Sequence, residues 1–295
     1  IITTILWAFS FSLIGEYLAG SVDSYFSVLM RVGLAALVFL PFLRTRGQSP
    51  RTIVLYMLVG AMQLGIMYLL AFRAYLYLTV SEFLLFTVFT PLYITLIYDL
   101  LSGRKLRWGY LLSAALAVLG AAIIRYDKVS DHFWTGLLLV QLSNLCFAIG
   151  MVGYKRLMEV RPMPQHNAFA WFYVGAFIVA VAAWFMLGNA QKLPTTTLQW
   201  SVLVWLGVVA SGLGYFMWNY GATQVDAGTL GIMNNVHVPA GLLVNLAIWQ
   251  EQPHWPSFIS GALVILASLW VHRRWVAPHS GQTADDRRRG SAQSE

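Results

Sequence analysis

Ten stretches of this chain are each long and apolar enough to cross a bilayer, and only short loops join them. With soft boundaries they are residues 2–20, 25–43, 52–74, 80–101, 107–125, 134–155, 166–187, 198–221, 228–250 and 256–275. A helix needs about 20 apolar residues to cross ~30 Å of hydrocarbon. In lipid every backbone amide must be bonded within the structure, which leaves helices or a closed barrel. A barrel is excluded, because its strands would be short and would alternate apolar with polar side chains. The expected fold is all-α and integral to the membrane, with ten transmembrane helices. Composition agrees: 58% of residues are hydrophobic and only 11% charged, too few charges to cover a water-exposed surface.

The net charge is +7. In a soluble chain that balance would suggest nucleic acid, but no polar domain here carries a basic patch. The expected partner is the lipid bilayer and not a nucleic acid. With the N-terminus inside, the inner loops and tail hold Arg44, Arg46, Arg51, Arg104, Lys105, Arg107, Lys155, Arg156, Arg161, Arg273, Arg274 and Arg287 to Arg289. The outer loops hold only Arg125, Lys128 and Lys192. This asymmetry predicts two cytoplasmic termini and an even number of spans. Residues 277–295 are polar and aperiodic, and are expected to be a disordered cytoplasmic tail. The single cysteine, Cys146, excludes an intramolecular disulfide. No basic segment precedes the first apolar run, so no signal peptide is expected, and a start at Ile1 suggests that native residues precede it.

A repeat organises the chain. Gly60, Gly65 and Tyr68 recur as Gly207, Gly212 and Tyr215 with the same internal spacing. Ala74 and Pro91 find counterparts in Ala222 and Pro239 after a gain of one residue. Two halves follow, residues 1–126 and 134–276, with five spans in each. An odd number per half means that the halves are inverted relative to each other. Inverted repeats belong to secondary transporters, whose substrate site lies at the repeat interface near the midplane.

The region from Gly214 to Trp270 carries Gly214-Tyr215, Tyr220 to Ala222, Ala227, Pro239, Glu251 and Gly261-Ala262. The first half carries Leu6-Trp7-Ala8, Arg31 and Pro91. Together these resemble the repeat signature of the EamA-like proteins in the drug/metabolite transporter superfamily, over about residues 5–275. The stretch FRAYLYLTVSEFLLFTVFTPLY, residues 72–93, is most similar to the YddG-type amino-acid exporters. Two departures stand out: Gly103 occupies the family's acidic position after the fourth span, and Arg31 has Trp171 as its counterpart in the second half. The resemblance implies a secondary transporter in the inner membrane. It would export amino acids, aromatic and apolar ones above all, by alternating access.

Polar groups inside a membrane should face protein, water or substrate. In the ninth span Asn234, His237, Gly241 and Asn245 step by helical spacing around Pro239. Such a stripe either walls a cavity or bonds neighbouring helices, with Gly241 permitting close packing; the cavity is the reading taken here. The fourth span carries Thr87, Thr90 and Tyr98, the third Tyr56 and Gln63, the sixth Gln141 and Asn144, and the eighth Tyr215, Trp218 and Asn219. The candidate substrate-binding residues are Asn234, His237, Gln63, Tyr68, Thr87, Asn144, Trp171, Tyr215, Trp218 and Asn219. The cavity so drawn is polar and nearly uncharged, which suits a zwitterion better than a sugar phosphate. Arg31 either attracts a carboxylate or pairs with Glu16, and the pair is the expectation.

The chain has no GxxxxGK[ST] loop, no HExxH and no G-x-S-x-G elbow, so no enzyme activity, cofactor or metal is expected. The alternatives are an exporter of drugs or cationic amphiphiles, dependent on Glu16, and a channel. Proton coupling through Glu16 or His237 and uncoupled facilitation both remain open. Nothing in the sequence indicates oligomeric symmetry, and a monomer is compatible with all of this.

Overall fold

The computed structural model describes residues 2–101, 116, 119, 131–225, 233, 234, 237–250, 255, 256, 259, 260, 263, 266, 267 and 270. Helices start where the sequence supplies partners for their orphan N–H groups. Helix α1 is Ile2–Tyr17. Helix α2, Ser24–Phe42, starts at Asp23, whose carboxylate accepts from the Phe26 amide. Helix α3, Pro50–Ala74, starts with Ser49 as cap and proline in its first turn. Helix α4, Val80–Leu101, has a capping box formed by Thr79 and Glu82. Helix α5 is Asp131–Val160, and α6 is Gln165–Leu187. Helix α7, Thr197–Ala222, repeats the capping box with Thr196 and Gln199. Helix α8, His237–Val244, continues as a π-helical turn, Asn245–Trp249.

Helices α2, α3, α4, α6, α7 and nearly all of α5 are long and apolar enough to cross a membrane. No strand occurs among the described residues. The outside of the bundle is apolar, as in Phe185 and Met186 at 82% and 79% exposure, which suits lipid and not water. The protein is therefore a multi-pass membrane protein. Two expected boundaries move. Helix α1 ends at Tyr17. Helix α5 runs on to Val160, through a charged last turn in which Lys155 and Arg156 pair with Glu159. Most of the span expected at 107–125, much of that at 256–275 and the whole tail lie outside the described residues.

Each copy of the glycine–tyrosine repeat overlaps a π-helical segment: Ala61–Ile66 in α3 holds Gly65, Leu206–Leu213 in α7 holds Gly207 and Gly212, and each tyrosine lies just beyond its segment. The two helices therefore widen at equivalent places in the two halves.

Helix α3 packs on α5 and α6, α2 on α6 and α7, α4 on α5, and α1 on α8. Elements from the two halves thus interleave. The tightest crossing joins α3 and α6. A Cβ at Gly60 would overlap the Phe172 carbonyl, and one at Gly175 would overlap the Met57 carbonyl. The two backbones touch with no side chain between them, which is how small residues hold membrane helices together in the absence of a hydrophobic drive. Gly33 is different, for its Cβ would meet only the Phe177 side chain. Gly60→Ala and Gly175→Ala should each destabilise the protein by about 1–3 kcal/mol through overpacking, and Gly33→Ala by clearly less. Thermal unfolding of the detergent-solubilised protein measures this difference.

Candidate functional site

A cavity lies among α1, α2, α3, α4, α5 and α7, with Asn234 also in its lining. It leaves about 70 Å³ for the centres of water-sized molecules. Its wall is mostly apolar. Trp7, Phe11 and Ile14 come from α1, Phe72 from α3, Phe83 from α4 and Phe147 from α5. The polar groups are few: Ser10, Arg31, Tyr68, Tyr75, Thr87, Thr90, Ser143, Asn144, Tyr215 and Asn234. An apolar cleft with a few placed polar groups is the usual form of a small-molecule site.

Local chemistry explains why α4 opens onto it. Pro91 has no N–H to give the carbonyl of Thr87, four residues earlier. The helix tightens to 3₁₀ geometry at Thr87–Phe89, and Thr90 Oγ1 donates to Thr87 O at 2.7 Å. Asn144 Nδ2 donates to the Phe86 carbonyl at 3.0 Å and Gln141 Nε2 at 3.3 Å, both from α5. Asn144 therefore braces a broken helix while it lines the cavity. Thr87 also lines the cavity, and its hydroxyl donates to Leu84 O at 2.6 Å.

The two repeated tyrosines meet here. The Tyr68 and Tyr215 rings lie edge to face with centroids 5.8 Å apart. Trp7 packs on Tyr215 at 4.5 Å, and its indole Nε1 donates to Ala210 O in the π segment of α7. Phe147 completes the cluster, 6.2 Å from Tyr215. Tyr75 stacks on Phe83 at 4.3 Å. The hydroxyls of Ser10 and Tyr75 are buried and have no hydrogen-bond partner among the described residues.

Arg31 supplies the cavity's positive charge. It is 3% exposed, and its Nε donates to Ser211 Oγ at 2.6 Å. The guanidinium carbon stands 4.2 Å over the Tyr68 ring, and the Tyr68 hydroxyl shares Ser211 Oγ at 2.8 Å. The expected partnership with Glu16 does not form: among the described residues no carboxylate pairs with Arg31. The cavity is therefore not the nearly uncharged one drawn from the sequence. The helical stripes were chosen for polarity, and Arg31 stands among apolar neighbours on its own helix.

Tyr68, Thr87, Asn144, Tyr215 and Asn234 line the cavity as drawn from the sequence. Gln63 and Asn219 do not. They form a closed amide pair, Gln63 Nε2 to Asn219 Oδ1 at 3.0 Å and Asn219 Nδ2 to Gln63 Oε1 at 3.1 Å. Each satisfies the other, so the pair ties α3 to α7. Trp218 is buried behind Trp7 and donates to the Met151 sulfur at 3.2 Å. Trp171 sits at the other end of the bundle and donates to the Arg44 carbonyl. The backbone of His237 opens α8, and its side chain lies outside the described residues. The stripes missed the face of α1. Trp7, Ser10, Phe11 and Ile14 follow helical spacing, but a single serine is too faint a polar mark to single the face out.

Comparison with known proteins follows this geometry. The signature of the EamA-like transporter family matches twice, at residues 1–126 and 134–273. The "Biotin transporter" of Escherichia coli (strain K12) is 83% identical over 295 residues, 100% of this chain and 99% of that protein. The "Probable biotin transporter" of Pseudomonas aeruginosa is 56% identical over 272 residues, 92% of this chain and 95% of that protein. A solved crystal structure shares the fold, with a TM-score of 0.64 at 17% identity, over 91% of this chain and 94% of that one. These relatives overturn amino-acid export: proteins alike over nearly the whole chain are named for biotin. The resemblance of residues 72–93 to amino-acid exporters reports shared ancestry and not a shared substrate.

The amide pair generates a test. Gln63→Leu or Asn219→Leu alone should cost about 1–3 kcal/mol, because each strands a buried amide. The double variant should be less destabilised than the sum of the two. Thermal unfolding in detergent gives the coupling.

Proposed function

The chain belongs to the EamA-like transporter family, and on that premise we propose that it carries biotin across the membrane. The observation that carries this reading is the 83% identity, end to end, with a protein named as a biotin transporter. The cavity supports it. Biotin is a fused bicycle with a ureido group on one side, a thioether on the other, and a five-carbon chain ending in a carboxylate. The aromatic and aliphatic wall of Trp7, Phe72, Phe83, Phe147 and Tyr215 suits the bicycle and the chain. Asn144, Thr87, Ser10 and Tyr75 are the groups that would meet the ureido N–H and C=O.

We place substrate contacts at Tyr68, Thr87, Asn144, Tyr215 and Asn234. His237, three residues beyond Asn234 in sequence, joins them on its helical spacing alone. The architecture proposed is ten helices in two inverted five-helix halves, with the site between them and both termini in the cytoplasm of a cell whose inner membrane holds the protein. Support comes from the double family match and from the meeting of Tyr68 with Tyr215, the same repeat position in each half. Alternating access would come from one bundle rocking on the other. No chemical step is required of the protein, and we assign it no catalytic residue.

The test is counterflow in proteoliposomes loaded with unlabelled biotin. Labelled biotin added outside should accumulate transiently and saturably. Excess phenylalanine, methionine or threonine should not reduce it. Flux that never saturates would indicate a channel, and exchange that the amino acids suppress while biotin does not would overturn the substrate. Asn144→Ala should lower biotin exchange by roughly tenfold, as expected for one lost hydrogen bond to substrate together with a weakened brace on Phe86.

A further inference from the structure

We propose that Arg31 anchors the free carboxylate of the substrate and makes the carrier selective for an acid over its ester or amide. This rests on the cavity being the biotin site. A guanidinium is ionised at any ordinary pH, and burying it is unfavourable unless an anion or a full set of hydrogen bonds compensates. Arg31 is buried, and its contacts are the Ser211 hydroxyl and the ring and hydroxyl of Tyr68. All are neutral. Glu159, on the last turn of α5, pairs instead with Lys155 and Arg156.

Geometry then selects the ligand. A guanidinium has five N–H donors in a planar fork. Ser211 Oγ takes the Nε donor and the Tyr68 hydroxyl also bonds the guanidinium, which leaves N–H donors on the edge formed by the two terminal nitrogens. That edge matches the two oxygens of a carboxylate. Tyr68, beneath the guanidinium and bonded to the same serine, fixes the plane of the fork. Biotin has one ionised group at neutral pH, the carboxylate of its side chain, so the cavity's cation fixes which end of biotin it meets. Ser211 lies in the π segment of α7, whereas Arg31 and Tyr68 lie on α2 and α3. A carboxylate held there would touch an assembly built from both halves of the chain.

The experiment compares biotin, biotin methyl ester and biotinamide as competitors of labelled biotin, on the purified full-length protein. For the wild type the ester and amide should bind about 100-fold more weakly than the acid, the usual scale for losing one partner of a buried charge pair. In Arg31→Gln the acid and the amide should compete equally, the preference for the acid being lost. In Arg31→Lys part of the preference should return. Equal binding of acid and amide by the wild type would overturn the anchor and leave biotin as substrate. Retention of the full gap by Arg31→Gln would also overturn it. No binding of biotin or its derivatives by the wild type would overturn the biotin reading and the anchor with it, a pattern distinct from equal binding. The wild-type comparison can still overturn the anchor even if both variants fail to fold.

Discussion

Hydrocarbon offers no hydrogen bonds, and most of what is distinctive in this fold follows from that. A polar group released inside the bundle must be met by another part of the protein. Pro91 releases a carbonyl and Thr90 meets it, while Asn144 and Gln141 reach across from α5 to the carbonyl of Phe86 beside it. Gln63 and Asn219 solve the same problem as a closed pair. The polar residues of such a bundle thus divide into those that end in each other and those that still face a cavity. The second group is where a solute can be recognised.

That division explains what the sequence made legible. Span positions could be read well, because length and apolarity are local properties; helices α2, α3, α4, α6 and α7 begin and end close to the limits read from composition. The repeated Gly60–Gly65–Tyr68 pattern also pointed to a real place, since its tyrosine and the matching Tyr215 touch in the cavity. Periodicity, however, says which face of a helix is polar and not what that face meets. Gln63 and Asn219 looked like a site for the same reason that Asn144 did, and only their 3.0 Å contact separates them. Trp171 looked deep because its helix is apolar all round, which hides how near the end of the helix it lies.

The substrate was harder still. An amino acid and biotin both join a carboxylate to an apolar body, and a wall of aromatic rings with a few hydroxyls and amides suits either. Fold and family constrain such a choice weakly, because one scaffold serves many solutes. Arg31 carries more information than its neighbours, yet its meaning depended on partners on α3 and α7, which no pattern within α2 reveals. Glu16 was a reasonable partner by charge and failed by position.

The π-helical segments of α3 and α7 carry one further consequence. A π turn holds an additional residue, so the faces before and after it are offset by about 100° relative to a continuous α-helix. In α3 this lets Gly60 face α6 while Tyr68, two turns on, faces the cavity. The extra residue acts as an angular spacer between a packing surface and a recognition surface. Losing one residue from Ala61–Ile66 would leave the helix as apolar as before and as able to cross a bilayer. It would nonetheless rotate everything beyond by roughly a quarter turn, so a change invisible to hydropathy would aim the cavity-lining residues at a neighbouring helix.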